Sequence, residues 1–225
     1  MNLVHESIHH INKTDVLTLE HRLSTVMKPD PKAPSGCCRV FCLYFERDKD
    51  FSFYDSAGAY KREEYRIVYY NNNPNRLTLS RKSEMNGMSG IENCEVTREF
   101  VEIILNNRFG EVISDPMGRT GEDLDPLLQE FYWEVVGKGL RPKVLVDYDS
   151  KIYVNSKGNT QITMNYNPRS SANLKSFLDP YHATVPIRDD KVIVHVKWDS
   201  FLPDVIRSAV TMSGSFSGTY YYNSL

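Results

Sequence analysis

The run KVIVHVKW, residues 191–198, sets Lys197 among β-branched neighbours, and this constrains the fold more than any other stretch of the chain. Val192, Ile193, Val194 and Val196 favour a strand. Alternate side chains of a strand share a face, so His195 and Lys197 point together and away from Val194 and Val196. A charge in such company is costly unless it is paired or bathed in water. The sheet that carries this strand must therefore offer a polar surface where a core would otherwise sit.

The pattern recurs. Glu64, Arg66 and Val68 share one face of the strand Glu63–Tyr70, and Ser80 and Lys82 share one face of Arg76–Ser83. The polar, proline-bearing link NNNPN between these two runs predicts an antiparallel hairpin. Gln161, Thr163 and Asn165 alternate together in TQITMNY. In the strand Cys38–Phe45, Arg39, Phe41 and Leu43 point one way and Cys38, Val40 and Cys42 the other. Further strands are expected at FSFY (51–54), VLVDY (144–148) and the closing TYYY run, while RTGED and RSSANLKS read as loops.

Helical spacing appears at Val16, Leu19, Leu23 and Val26, stopped by Pro29. It returns at Phe100, Ile103 and Ile104, then at Leu127, Leu128, Phe131 and Val135 after an Asp125–Pro126 start. A short helix follows Pro203. The expectation is one α+β domain over residues 1–225, with helices covering a sheet. Two arrangements fit the polar face: an open antiparallel sheet with one solvated side, or a sheet curled around a wet channel.

The 27 Lys and Arg against 29 Asp and Glu give a formal net charge of -2, so any positive site is local. With no basic helix or continuous basic tract, nucleic acid is not an expected partner. No apolar run reaches the length of a membrane span. The cysteines, Cys37, Cys38, Cys42 and Cys94, fit neither a disulfide framework nor a metal knuckle, which predicts reduced thiols and a cytoplasmic location. His5, His9 and His10 lie on a different strand from His195 in mixed directions, so His195 is expected to be a hydrogen-bonded interior histidine.

Six spans, VHESIHHIN, CRVFCLYFE, REEYRIVYYN, LTLSRKSEMNG, RPKVLVDY and VIVHVKWDSFLP, in this order, resemble the VTC-type polyphosphate polymerase domain of the triphosphate tunnel fold. The resemblance runs from about Leu3 to Tyr222 and is most specific in the RIxYYN, KSxxNG, RPKxxVDY and VKxDxFLP segments. It implies a closed antiparallel β-barrel with flanking helices, whose lumen binds triphosphate or a growing polyphosphate chain. It also implies phosphoryl transfer from a nucleoside triphosphate such as ATP, assisted by Mn2+ or Mg2+. By the resemblance, Arg39, Arg66, Lys82 and Lys197 hold phosphate and neutralise the transferring group, and Glu6 helps to hold the metal.

The departures from the family pattern fall on the same expected face. Val4 and Ile8 stand where arginine and lysine are usual, Phe41 replaces the second arginine of an RxR strand, and Glu64 and Val68 replace basic residues around Arg66. Ser80 and His195 take two glutamate positions, and Ser150 and Gln161 take arginine positions. Asn165 stands for an aspartate and Gly218 for a lysine. Two functions follow from this mixture. One is a polyphosphate polymerase-like domain, weakened or altered; the other is a noncatalytic tunnel that binds a small anionic or amphipathic ligand, or whose lumen is filled, with no cofactor.

Overall fold

The computed structural model describes residues 2–31, 33, 36–47, 53–54, 60–109, 125–187, 191–211 and 216–217. In chain order the first half runs β1 (Val4–Asn12), α1 (Val16–Val26), β2 (Lys28–Pro29), β3 (Cys37–Glu46), β4 (Phe53–Tyr54), β5 (Tyr60–Tyr70), β6 (Leu77–Met85) and β7 (Met88–Val96). The second runs α2 (Arg98–Leu105), α3 (Pro126–Gly137), β8 (Arg141–Asn155), β9 (Thr160–Ser171), β10 (Val185–Pro186), β11 (Lys191–Trp198), α4 (Asp204–Val210) and β12 (Phe216–Ser217).

Eight antiparallel strands close on themselves in the order β1-β7-β6-β5-β3-β8-β9-β11 and back to β1. The β8–β9 pairing completes the ring, so the curled arrangement is the one realised, and the long strands have no free edge among them. A bulge between Asp147 and Asp149 bends β8 where it pairs with β9. The β8–β9 turn needs glycine at 158: its φ is +65°, and a Cβ there would meet the Phe201 carbonyl oxygen at 2.1 Å.

Two apolar clusters cover the outside of the barrel. Leu19 and Leu23 of α1 and Ile206 and Val210 of α4 pack on Val192, Val194 and Val196 of β11 and on Ile162 and Met164 of β9. On the other side Phe100 and Ile104 of α2 and Leu128 and Phe131 of α3 cover Leu43, Tyr65, Ile67 and Leu79. Both helix starts are capped by side chains, with Thr97 accepting from the Phe100 amide and Asp125 from the Leu127 amide. An ion-pair network reinforces the second layer. Arg81 meets Glu92 and Glu130, and Arg47 meets the buried Glu134 of α3.

A third cluster lies inside the ring. Ile8, Val40, Cys42, Tyr44, Val68, Val146, Tyr148 and Ile193 face one another across the lumen. Part of the expected channel is therefore filled with apolar side chains.

The differences from the sequence expectations have local causes. The strand β7 was not anticipated, because MSGIENCEV has only a weak apolar alternation. Its signal was the Asn86–Gly87 pair, both at positive φ, which turns the chain directly from β6 into β7. The strand β8 continues through Asn155, well beyond VLVDY. Arg169–Ser171, expected in a loop, closes β9, and Leu174–Ser176 forms a single 3-10 turn. The TYYY run, RTGED and Gly218 lie outside the described residues.

Candidate functional site

The polar lumenal face begins with β1 and β11, which pair so that Glu6 lies opposite Lys197 and Ile8 opposite His195. Because Val192, Val194 and Val196 pack outward under α1 and α4, the alternate residues Ile193, His195 and Lys197 turn inward. Across β7, the β5–β6 hairpin sets Glu64 opposite Lys82 and Arg66 opposite Ser80. Its outer face, Tyr65, Ile67 and Leu79, packs under the other helices and fixes Glu64, Arg66 and Lys82 toward the lumen.

Glu6 sits at the centre of the charges. Its Oε2 lies 3.0 Å from Lys82 Nζ, and its Oε1 lies 2.9 Å from His195 Nδ1 and 3.9 Å from Lys197 Nζ. Burial works to raise its carboxyl, but the His195 hydrogen bond and the charges of Lys197 and Lys82 outweigh it and hold the group well below the usual carboxylate range. The two lysines diverge. Burial works to lower Lys82, yet Glu6 and Glu84, the latter 2.6 Å away, raise it above its ordinary value. Among the described residues Lys197 makes the longer contact to Glu6 and no closer ion pair, so burial, with Lys82 and Arg66 nearby, lowers it.

His195 is an interior histidine hydrogen-bonded to Glu6, as expected, and its burial outweighs that bond and lowers its pKa. Burial raises the Glu64 carboxyl against the opposing charges of Arg66, Lys82 and Arg62. Arg66 reaches the Tyr44 hydroxyl at 3.5 Å, and its buried Nε–H has no hydrogen-bond partner among the described residues. These side chains open onto a cavity of ≈ 210 Å³. Apolar and aromatic side chains line the rest of it: Val40 and Tyr44 from β3, Tyr148 from β8 and Ile193 from β11.

Several expected positions line this cavity, namely Glu6, Glu64, Arg66, Lys82, Ser150, Gln161, Asn165, His195 and Lys197. Ser150 donates to Asn165 at 3.0 Å, so these two lumenal polar side chains satisfy each other across β8 and β9. Ser80 lies on the same inner face and is hydrogen-bonded to Asn93 of β7. Ile8 and Val68 belong to the inner apolar cluster. Val4 shares the face of Glu6 and pairs with Ser89, away from the cavity.

Arg39 and Phe41 require correction. Both point out of the barrel, and the inner face of β3 is Cys38, Val40, Cys42 and Tyr44. Arg39 forms ion pairs with Asp147 and Asp149, and Phe41 stacks on Tyr69 with ring centroids 4.6 Å apart. Both faces of β3 are apolar because one lies under helices and the other fills the lumen, so alternation alone does not distinguish inside from outside. Tyr44 and Tyr148 were missed for the same reason, whereas Tyr70 follows Val68 on the charged face of β5 and was legible from alternation. Glu84, two residues beyond Lys82 on the same strand face, was legible from alternation and was overlooked.

The lumenal carboxylates Glu6 and Glu84 do not offer a site to a divalent ion of the Mn2+ or Mg2+ kind. Glu6 has both oxygens engaged by His195 and two lysines, and Glu84 is paired with Lys82, so this donor set does not fit a cation. Among the described residues, one group of three carboxylates is close enough to share an ion: Glu63, Glu130 and Glu134. It could coordinate a divalent metal, but it lies outside the barrel, beneath α3, where Arg81 and Arg47 already contact it.

Structural comparison finds similar folds at low identity. A candidate adenylate cyclase from Bacillus halodurans is 11% identical with a TM-score of 0.47, over 88% of this chain and 82% of that one. The PH1819 protein of Pyrococcus horikoshii is 12% identical with a TM-score of 0.44, over 92% of this chain and 84% of that one. The PH1012 protein of the same organism is 11% identical with a TM-score of 0.41, over 91% and 84%. No curated protein matches the sequence. The family model of the VTC domain matches residues 4–217, and with a closed barrel and charged lumen over that same span the chain belongs to the VTC domain family.

Proposed function

We propose that this barrel is an anion-binding tunnel that holds one short phosphate-type anion beside Arg66, Lys82 and Lys197 and does not extend a polyphosphate chain. The observation that carries the reading is the position of Glu6, whose carboxylate already neutralises two of the three cations. A long polyanion entering the lumen would have to displace it, and would also face Glu64 and the apolar cluster around Val68 and Ile193. The cavity of ≈ 210 Å³ falls below the ~300–1,000 Å³ of sites that enclose a drug-sized molecule, so it suits a fragment better than a whole nucleoside triphosphate.

Family membership favours a second reading, residual phosphoryl transfer. In it, an oxygen of the terminal phosphate of a bound chain attacks the γ-phosphorus of ATP in line as the bond from that phosphorus to the β,γ-bridging oxygen breaks and ADP leaves, with Arg66, Lys82 and Lys197 neutralising the transferring group. Arg39 takes no part from the outer face, and no step is assigned to a metal held by Glu6. Triphosphate, polyphosphate and ATP are the ligands to test, and a cytoplasmic location belongs to the same proposal.

Titration with tripolyphosphate and ATP, with and without Mn2+, followed on the same samples by an assay for polymer, separates the readings. Binding without polymer is the expected result. Polymer formation would establish transfer, and absence of all binding would leave a structural barrel.

A further inference from the structure

The lining of the cavity is of two kinds. Arg66, Lys82 and Lys197 supply positive charge, with Glu6 and Glu64 set among them. Val40, Tyr70, Tyr148 and Ile193 add apolar surface between them, and Val40, Tyr148 and Ile193 belong to the inner apolar cluster. Three cations against two carboxylates leave little surplus charge for a polyanion. The apolar surface offers contact that a bare phosphate, hydrated on all its oxygens, cannot use.

Resting on the anion-binding reading above, we propose that the ligand is an amphipathic monophosphate: one phosphoryl group held at Arg66 and Lys197, with a compact apolar or aromatic body lying against Val40, Tyr70, Tyr148 and Ile193. Three observations converge on this class. The Arg66 Nε–H is buried without a hydrogen-bond partner among the described residues, which leaves a donor for a phosphoryl oxygen. Lys197 is only loosely engaged, at 3.9 Å from Glu6, and can turn to a ligand at little cost to that pair. Tyr70, 49% exposed at the end of β5, stands at the rim of the cavity where the body of such a ligand would enter. Tyrosine at that position provides a flat apolar face for contact with such a body.

The test uses inorganic phosphate, tripolyphosphate and phenyl phosphate as calorimetric probes of the intact chain, alongside the Tyr70→Ala variant. Phenyl phosphate should bind at least about tenfold tighter than inorganic phosphate and tighter than tripolyphosphate, a preference that burial of an aromatic ring readily supplies. Tyr70→Ala should erase most of that preference, weakening phenyl phosphate far more than inorganic phosphate; because Tyr70 is half exposed, folding is not at issue. Tightest binding of tripolyphosphate would overturn the amphipathic assignment and leave the anion-binding tunnel standing. An undiminished preference in Tyr70→Ala would also overturn it. Failure of all three probes to bind would overturn both.

Discussion

Glu6 and Lys82 meet at 3.0 Å in the lumen although their strands, β1 and β6, are separated by β7 in the barrel. The contact crosses the inside of the ring, and with Lys197 and His195 it makes Glu6 an internal counter-ion for a surface that would otherwise attract anions. An anion entering the lumen competes with a carboxylate that is covalently part of the chain.

Glu6→Gln should therefore raise the affinity for tripolyphosphate by about tenfold or more, since two lysines lose their neutralising partner. The same change should destabilise the fold by about 3 kcal/mol, because Lys197 loses its carboxylate contact while buried and Lys82 keeps only Glu84. Calorimetry and denaturant unfolding read the two effects on one sample. Unchanged affinity would remove Glu6 from the account of selectivity.

Lys197→Ala should weaken tripolyphosphate binding by about tenfold, equivalent to ~1.4 kcal/mol. The loss should shrink as salt is added, since part of the contact is electrostatic. Equal affinity in the two proteins would mean that the lowered Lys197 does not face the ligand.

Arg39→Ala and Arg66→Ala should behave in opposite ways. Arg39 lies on the outer surface with the buried Asp147, so its removal should cost about 2 kcal/mol of stability and leave anion binding unchanged. Arg66→Ala should abolish binding at concentrations that saturate the unaltered protein. Loss of binding in Arg39→Ala would return Arg39 to the lumen.

Acid should destabilise the barrel through His195 before it does so through Glu6. The ordinary value of His195 is 6.5 and burial lowers it, so below pH 6.5 the unfolded chain takes up a proton that the folded site refuses. Stability from this source is complete above 6.5 and declines as pH falls toward the lowered folded value. Glu6, ordinarily at 4.5 and held well below it, adds a second loss that begins near 4.5 and continues as pH falls through its folded value. Glu64 is raised and acts in the opposite sense, gaining stability as it protonates. The difference between the original protein and His195→Gln isolates the histidine. That difference should change between pH 7 and 5; a flat difference would mean that His195 titrates normally.

Much of the fold was legible because local chemistry and packing agree. The α1 spacing, the Asp125–Pro126 start of α3 and the β5–β6 hairpin all rest on short-range rules, and each appears where those rules put it. That Lys197 shares a polar face with His195, away from Val194 and Val196, was legible too, because alternation separates it from the valines that pack under α1 and α4. The face of β3 was not, because Arg39, Phe41 and Leu43 on one side and Val40, Cys42 and Tyr44 on the other are equally able to be buried.

By itself the sequence determined antiparallel strands that gather glutamate, arginine and lysines on one polar face, because strand alternation depends on neighbours along the chain; that the face turns inward in a closed barrel was implied only by the order of the motifs and their resemblance to the VTC domain. Only the tertiary structure decided that Glu6 engages Lys82 and Lys197, that Arg39 stays outside with Asp147, and that apolar side chains fill part of the lumen. Those outcomes depend on strand register and ring closure. A shift of one residue between strands exchanges every inward side chain for an outward one, and no local pattern in a strand that is apolar on both faces records which has occurred.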